Sequence, residues 1–525
     1  MRNRTLMTSV GLTIAFLSAE TEADTYFVDV DQGSDTNNGI AITSAWAHVP
    51  GTVGIRGSGW ATIVHGDTIW VKGGTTNNLQ IKFSPDYYNG NAQFDSIKVQ
   101  SGHLANPQWG TTQAIIDGQN TRTYGVWFSG NLARGTLNGL TFDGFEVRNI
   151  AAGAAGTGFD DANGSSCVLV GGVYKTLYFT VRQCWLHDAY RNSDDRGHGI
   201  EFSGGTHWIV TQNTIGPNIG TKGCEASRAA FGVISNNFFS GTGDHCIALS
   251  AAQNVDVCNN VIYNVPPQVH EPQYGIAIAG ATCCDVWNNL IYRPANVLNS
   301  SGQDWSMGIG MYTTCISNRI VFNTVAYFGD YHNGNGSTAI RLGDVNASYP
   351  NKATIFQNNI LYKNFNADGN LQFWTRKPSV RGEDVQYNCF FAVNGTENVM
   401  SSSDQSTEWF APVSRFNLGP GHTYANNLQA DPALTGGPLP NGLDSSYHPN
   451  STYFKPTLAR NLFILETHNS LFGDSSHGYS SDPGKFGTDI MGVERSGWSM
   501  GAYEVYVVHP PPPTGLRIIR IDSLP

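Results

Sequence analysis

The 525-residue chain is poor in charge: only 14% of its residues are Asp, Glu, Lys or Arg, and they sum to a net −11. No basic run stands out, which excludes the phosphate-neutralising face that nucleic-acid binding requires. The same balance means that an anionic glycan would need a cation to bridge it. Cysteine pairs at zinc spacing are also missing. The nine cysteines (Cys167, Cys184, Cys224, Cys246, Cys258, Cys283, Cys284, Cys315 and Cys389) include no CxxC, and an odd number leaves at least one unpaired. We expect buried, inert thiols in a large core. The apolar run Leu6 to Leu17 falls short of the ~20 residues that cross a bilayer, and no later stretch is long enough. With Arg2 and Arg4 before it and small residues after it, the run has the layout of a secretory signal peptide over residues 1–23, leaving Asp24 as the mature terminus. The expectation is an exported protein, secreted, periplasmic or at the cell surface, with no membrane span.

What abounds is glycine, 60 residues, which suits tight turns between short strands. A short phrase recurs, an Asn followed by a small or polar residue and then apolar ones: Asn213-Thr-Ile, Asn236-Asn-Phe-Phe, Asn259-Asn-Val-Ile-Tyr, Asn288-Asn-Leu-Ile-Tyr, Asn323-Thr-Val-Ala-Tyr, Asn358-Asn-Ile-Leu-Tyr and Asn388-Cys-Phe-Phe. Successive positions differ by 23, 23, 29, 35, 35 and 30, so the repeat tolerates loops of different size. About a dozen residues before most of these Asn stands a strand-like phrase with alternating apolar residues: Gly199-Ile-Glu-Phe-Ser, Cys246-Ile-Ala-Leu-Ser, Gly275-Ile-Ala-Ile-Ala, Gly308-Ile-Gly-Met and Ala339-Ile-Arg-Leu-Gly. Each repeat reads as strand, turn, strand, Asn turn and strand, one coil of an all-β, right-handed parallel β-helix. Asn suits the turn because it tolerates left-handed backbone and because its amide can bond to the equivalent amide one coil away.

The opening Tyr26-Phe-Val-Asp-Val-Asp, with Ala45-Trp46 and Gly66-Asp67-Thr-Ile-Trp, resembles the start of secreted right-handed β-helix proteins of the pectate-lyase-like kind. Asp431-Pro432, Thr488-Asp489 and Met500-Gly-Ala-Tyr-Glu504 are similar to their closing segments. The resemblance implies a solenoid over residues 24–400 with its N-terminal cap, a C-terminal capping segment over 401–507 and a Pro-rich tail over 508–525. It implies an architecture shared by lyases, hydrolases, epimerases and proteins without activity.

Aligning the strand phrases on their first inward residue gives an outward column: Trp127, Leu169, Glu201, Glu225, Ala248, Ala277, Gly310, Arg341 and Gln372. Glu225 enters because Cys224 stands twelve residues before Asn236, as Ile247 does before Asn259. Two stacked carboxylates cannot both ionise freely unless one holds a proton or a cation lies between them. The three small residues above them would leave a floor for a flat sugar. Just before these strands stand Asp194, Asp195, Arg196 and His198, then Lys222, then Asp244 and His245, with His270, Glu271, Asp304, Asp330 and His332 in longer loops. The candidate catalytic residues are Glu201, Glu225, His198, Lys222, His245 and Asp244. Trp127, Arg228 and Arg341 are candidate substrate contacts, and Glu201, Glu225 and Asp244 candidate ligands for calcium.

Asp194-Asp195 and Gly197-His198-Gly199 resemble fragments of the polygalacturonase pattern, but here they fall within six residues, and Gly243-Asp244-His245 has His where that family's second Asp would stand. Glu201, Glu225, Lys222 and Arg228 are similar in kind, though not in spacing, to the stacked Glu, Lys and Arg of calcium-dependent uronan lyases. We therefore expect a polysaccharide partner and a lyase of uronic-acid-containing glycans, a cation acidifying the C–H bond while Lys222 or His245 removes the proton. Hydrolysis in the same groove and non-catalytic glycan binding by a surface scaffold are the other readings. A monomer is expected.

Overall fold

The computed structural model describes residues 23–83, 97–129, 137–151, 165–171, 176–190, 197–263, 273–292, 306–326, 338–343, 351–362 and 373–376, then the short pieces 380–381, 383–386, 388–391, 400–403, 408–411, 423–425 and 427–429. The expected signal peptide to residue 22, the closing segment and tail beyond 429, and Asp194, Asp195, Arg196, His270, Glu271, Asp304, Asp330, His332 and Gln372 lie outside them.

The strands form three long sheets of 13, 12 and 12 members, each ordered so that a strand neighbours its equivalent from the previous and following turn of chain. This is a parallel β-helix, and right-handed as parallel crossovers are. One coil runs through the strand His198–Ser203 in the first sheet, Ile209–Thr211 in the second and Thr214–Ile215 in the third. Helical structure among the described residues is confined to three short 3-10 turns near the N-terminus, and no helix is long and apolar enough to cross a membrane. Strand pairing in the second and third sheets continues past residue 400, where the solenoid was expected to end, to Thr423–Ala425 and Leu428–Gln429. In the first sheet the strand Glu408–Ala411 turns back antiparallel on Met400–Ser403, which ends that parallel ladder. At the other end Trp46 is fully buried, stacked on Tyr26 and edge-on to Trp60.

The Asn phrase divides its two duties between two residues. Asn236, Asn259, Asn288 and Asn358 take the left-handed turn, with φ between 54° and 56°. The next residue in each case, Asn237, Asn260, Asn289 or Asn359, points inward and builds the ladder, joined there by Asn213, Asn323 and Asn388. The steps counted from the sequence therefore mixed two registers; rung to rung they are 24, 23, 29, 34, 36 and 29 residues. Asn289 is typical. Its amide nitrogen donates to Val257 O, Trp287 O and Asn323 Oδ1, and its Oδ1 accepts from the backbone and side-chain nitrogens of Asn260.

A second feature decides which side chains face out. In seven consecutive coils of the first sheet a small residue and the apolar residue after it both face the core: Cys167-Val168, Gly199-Ile200, Gly223-Cys224, Cys246-Ile247, Gly275-Ile276, Gly308-Ile309 and Ala339-Ile340. A Cβ on Gly199 would lie 2.6 Å from Ile215 Cγ2, and one on Gly308 2.2 Å from Val325 Cγ1, so the third sheet fills the space left by the small residue. Two inward residues in succession reverse the alternation there, and the residue before the pair points outward.

All nine cysteines are free thiols, eight of them buried. Burial pushes the Cys184, Cys246 and Cys284 thiols up to about 12 and Cys315 to about 11, whereas Cys283 is half-buried and raised less. Two outcomes follow. In the native protein an aromatic disulfide reagent should titrate no more than one thiol, Cys283, and all nine after denaturation; a smaller total after denaturation would indicate disulfides. Asn289→Ala should lower the unfolding free energy by about 3 kcal/mol or more in guanidinium titration, because buried partners lose their bonds at ~1–3 kcal/mol each. Asn259→Gly, at φ 54°, should change it by less than about 1 kcal/mol.

Candidate functional site

Register places the outward column where the sequence put it. Trp127 pairs with Leu169, then in turn come Glu201, Glu225, Ala248, Ala277, Gly310 and Arg341. The column ends differently from expectation: Arg341 is followed by Trp374, not Gln372, because Phe373, not Leu371, pairs with Ile340.

The reversal at Gly199-Ile200 turns His198 outward beside Glu201, three residues on. His198 Nδ1 donates to Glu201 Oε2 at 3.0 Å, and Ser166 Oγ donates to the same oxygen at 2.9 Å. On its other side the imidazole presents Nε2 to Glu225 Oε2 at 3.5 Å. Lys222 Nζ donates to Glu225 Oε1 at 2.8 Å and Ser250 Oγ to the same atom at 3.3 Å. One imidazole thus stands between two carboxyl groups. His198 is 3% exposed, yet its Nε2 has no hydrogen-bonding partner within the protein.

The next coil brings a second group. Asp244 Oδ1 lies 2.9 Å from His245 Nδ1, but the two are not aligned for a hydrogen bond, and both atoms are buried without one. His245 Nε2 meets the Tyr312 hydroxyl at 3.4 Å, and the Tyr274 ring stands edge-on to His245 with centroids 4.9 Å apart. Tyr312 is half-buried. Burial, the Tyr274 hydroxyl and then the Asp244 and Glu225 carboxylates hold its hydroxyl well above the usual phenol range. Six of the expected residues, His198, Glu201, Lys222, Glu225, Asp244 and His245, therefore lie together on three neighbouring coils, four of them buried and Lys222 and Glu225 partly so, and form the candidate cleft. Ser166, Ser250, Tyr274 and Tyr312 join them without having been foreseen. A signal existed: Ser166 and His198 share a register position, His245 and Tyr274 share the same column, and Ser250 stands two coils before Tyr312 in another.

Other expectations need correction. Trp127, offered as a substrate contact, is covered: it is 3% exposed, Lys82 Nζ lies 3.7 Å from its ring centroid, and its ring N–H donates to Gly171 O. The small residues are no open floor, for Ala248 and Ala277 are buried and the Tyr274 ring lies over Gly310. Arg341 is four coils from Glu225, about 19 Å at the ~4.8 Å strand spacing, and its Nε turns to Gly343 O. Arg228 is exposed, at a left-handed turn closing the strand Cys224–Ser227. Among the described residues no three His, Cys, Asp or Glu side chains are arranged to hold a metal ion. Of the three donors offered for calcium, Glu201 and Glu225 have an imidazole between them and an ammonium on Glu225, and Asp244 lies beside His245.

No family model and no curated protein matches the chain. Among solved structures it is similar to a pectate lyase, at 14% identity over 93% of this chain and 97% of that one, with a TM-score of 0.46. It is also similar to XylC in complex with xylose, at 11% identity over 92% and 98% with a TM-score of 0.46, and to a mannuronic-acid-specific polysaccharide family 6 lyase from human gut microbiota, at 15% over 66% and 73% with a TM-score of 0.40. These likenesses do not reach the chemistry of the cleft, and the fold rests on the three sheets themselves.

Gly310 should be sensitive to substitution although it bears no functional group. A Cβ there would lie 2.1 Å from Tyr274 Cε1, so Gly310→Ala must displace the ring that holds His245. We expect unchanged far-ultraviolet dichroism, altered near-ultraviolet dichroism and a loss of roughly 1–3 kcal/mol from overpacking. A wild-type near-ultraviolet spectrum and melting curve would mean that the ring does not rest on Gly310.

Proposed function

We propose that the cleft is the acid–base centre of an exported glycan-active enzyme that hydrolyses a glycosidic bond. The observation that carries this reading is the imidazole of His198 held between Glu201 at 3.0 Å and Glu225 at 3.5 Å. His198 Nε2, Asp244 Oδ1 and His245 Nδ1 are buried there without a hydrogen bond, each within ion-pair distance of a neighbour. Lys222 and Ser250 both hold Oε1 of Glu225, which leaves Oε2 to take a proton from water. Glu201 and Ser166 fix the orientation of His198. The contributing residues come from six consecutive coils, Ser166 to Tyr312, a span of about 24 Å at the ~4.8 Å strand spacing, which suits an extended polymer.

Charge favours hydrolysis of a neutral glycan over elimination from a uronate. Among the described residues the site sets three carboxyl groups, Glu201, Glu225 and Asp244, against one ammonium, Lys222, which is engaged with Glu225. A uronate carboxylate would add a fourth acidic group to that set.

Incubation with neutral and uronic-acid polymers should give new reducing ends without the ultraviolet absorbance of unsaturated products, and a chelator should not change the rate. Glu225→Gln should lower kcat by about 100-fold or more, the range for a lost general base. Unsaturated, chelator-sensitive products would restore the calcium-dependent lyase. Tight binding of a glycan with no product after long incubation would make the protein a binder instead.

A further inference from the structure

We propose that Tyr312 is a catalytic residue, the donor to the oxygen that leaves when the glycosidic bond breaks, and that Tyr274 and His245 hold it in place. This rests on the hydrolytic reading above and assigns the acid side of that reaction. Tyr312 closes the strand Ser306–Tyr312 in the outward column that also contains Ser250. Its hydroxyl is 3.4 Å from His245 Nε2, its ring centroid is 5.6 Å from that of Tyr274, and it packs in one cluster with Tyr274, Ala277 and Met307. The flat seat of Tyr274 on Gly310 and its edge contact with His245 make a rigid frame around that hydroxyl.

The two halves of the cleft then have complementary tasks. Glu225 Oε2 takes a proton from water, whose oxygen bonds to the anomeric carbon. The glycosidic C–O bond breaks with its electron pair on the leaving oxygen, and that oxygen takes the phenolic proton of Tyr312. One proton passing from Glu225 to the phenolate restores both groups, so the net reaction consumes one water. Burial above all, then the Tyr274 hydroxyl and the Asp244 and Glu225 carboxylates, keeps the phenol protonated until an alkoxide-like oxygen forms beside it. A neutral donor aimed at developing charge is a recognised source of catalysis.

The test compares two substrates of the same sugar, one with an alkyl or sugar leaving group and one with a nitrophenyl leaving group that departs without help. Tyr312→Phe keeps the ring and its packing. It should lower kcat on the unactivated substrate by about 100- to 1,000-fold, the range for a lost charge-stabilising donor, and on the nitrophenyl glycoside by less than about 10-fold. Activity on the nitrophenyl substrate also shows that the variant is folded. Equal loss on both substrates, or no loss on either, would overturn the assignment and leave the hydrolase reading intact. Failure of the wild-type enzyme to cleave either class of substrate would overturn both.

Discussion

The solenoid depends on a buried amide handed from coil to coil. Each inward Asn between positions 213 and 388 accepts or donates across the gap to its equivalent, and backbone carbonyls of neighbouring strands take the remaining N–H. The bonds lie in a core from which water is excluded, so a coil that slipped by one residue would leave several polar atoms unpaired at once and would also turn its apolar face outward. The rung tolerates great freedom elsewhere. Between rungs the chain may run 23 residues or 39, because the constraint acts at one point per coil. Length can therefore vary in the connections without disturbing the sheets.

A second constraint acts on the first sheet. The third sheet presses Ile215, Phe239, Ile291 and Val325 into positions where a small residue must stand, and glycine or another small side chain occupies each of them. That residue and the apolar one after it both face inward, so the strand has outward positions two before and one after its first large core residue. Strict alternation would have sent His198 into the core. The corner brings it instead to the same face as Glu201, within hydrogen-bonding distance. The meeting of imidazole and carboxylate is here a by-product of core packing: the chain needs no special loop to place one beside the other, only a glycine in the right place.

The solenoid, the coil pattern and the stacking of Glu201 on Glu225 were legible because they follow from period-two alternation and a recurrent Asn. Less legible was anything that alternation alone misplaces. The ladder Asn and the turn Asn are adjacent and of one type, so counting from the first Asn of each phrase mixed Asn213, Asn323 and Asn388 with Asn236, Asn259, Asn288 and Asn358. Trp127 was placed in the right column and yet is covered, since Lys82 lies over it from the preceding coil, and no periodicity announces which neighbour will lean across. Tyr274 and Tyr312 escaped notice because attention to charge passes over tyrosine, and because the small residues at 277 and 310 looked like open space when they are the seat of a ring.

Two short connections from the third sheet back to the first run beside the candidate site. Residues 216–223 join Ile215 to the strand Cys224–Ser227, and residues 241–244 suffice to join Ser240 to His245, whereas 264–272, 293–305 and 327–337 are needed for the coils that follow. The residues that end these connections are the ones that enter the cleft: Lys222 from the first, Asp244 and His245 from the second. Compact coils thus order an ammonium, a carboxylate and an imidazole against the outward column.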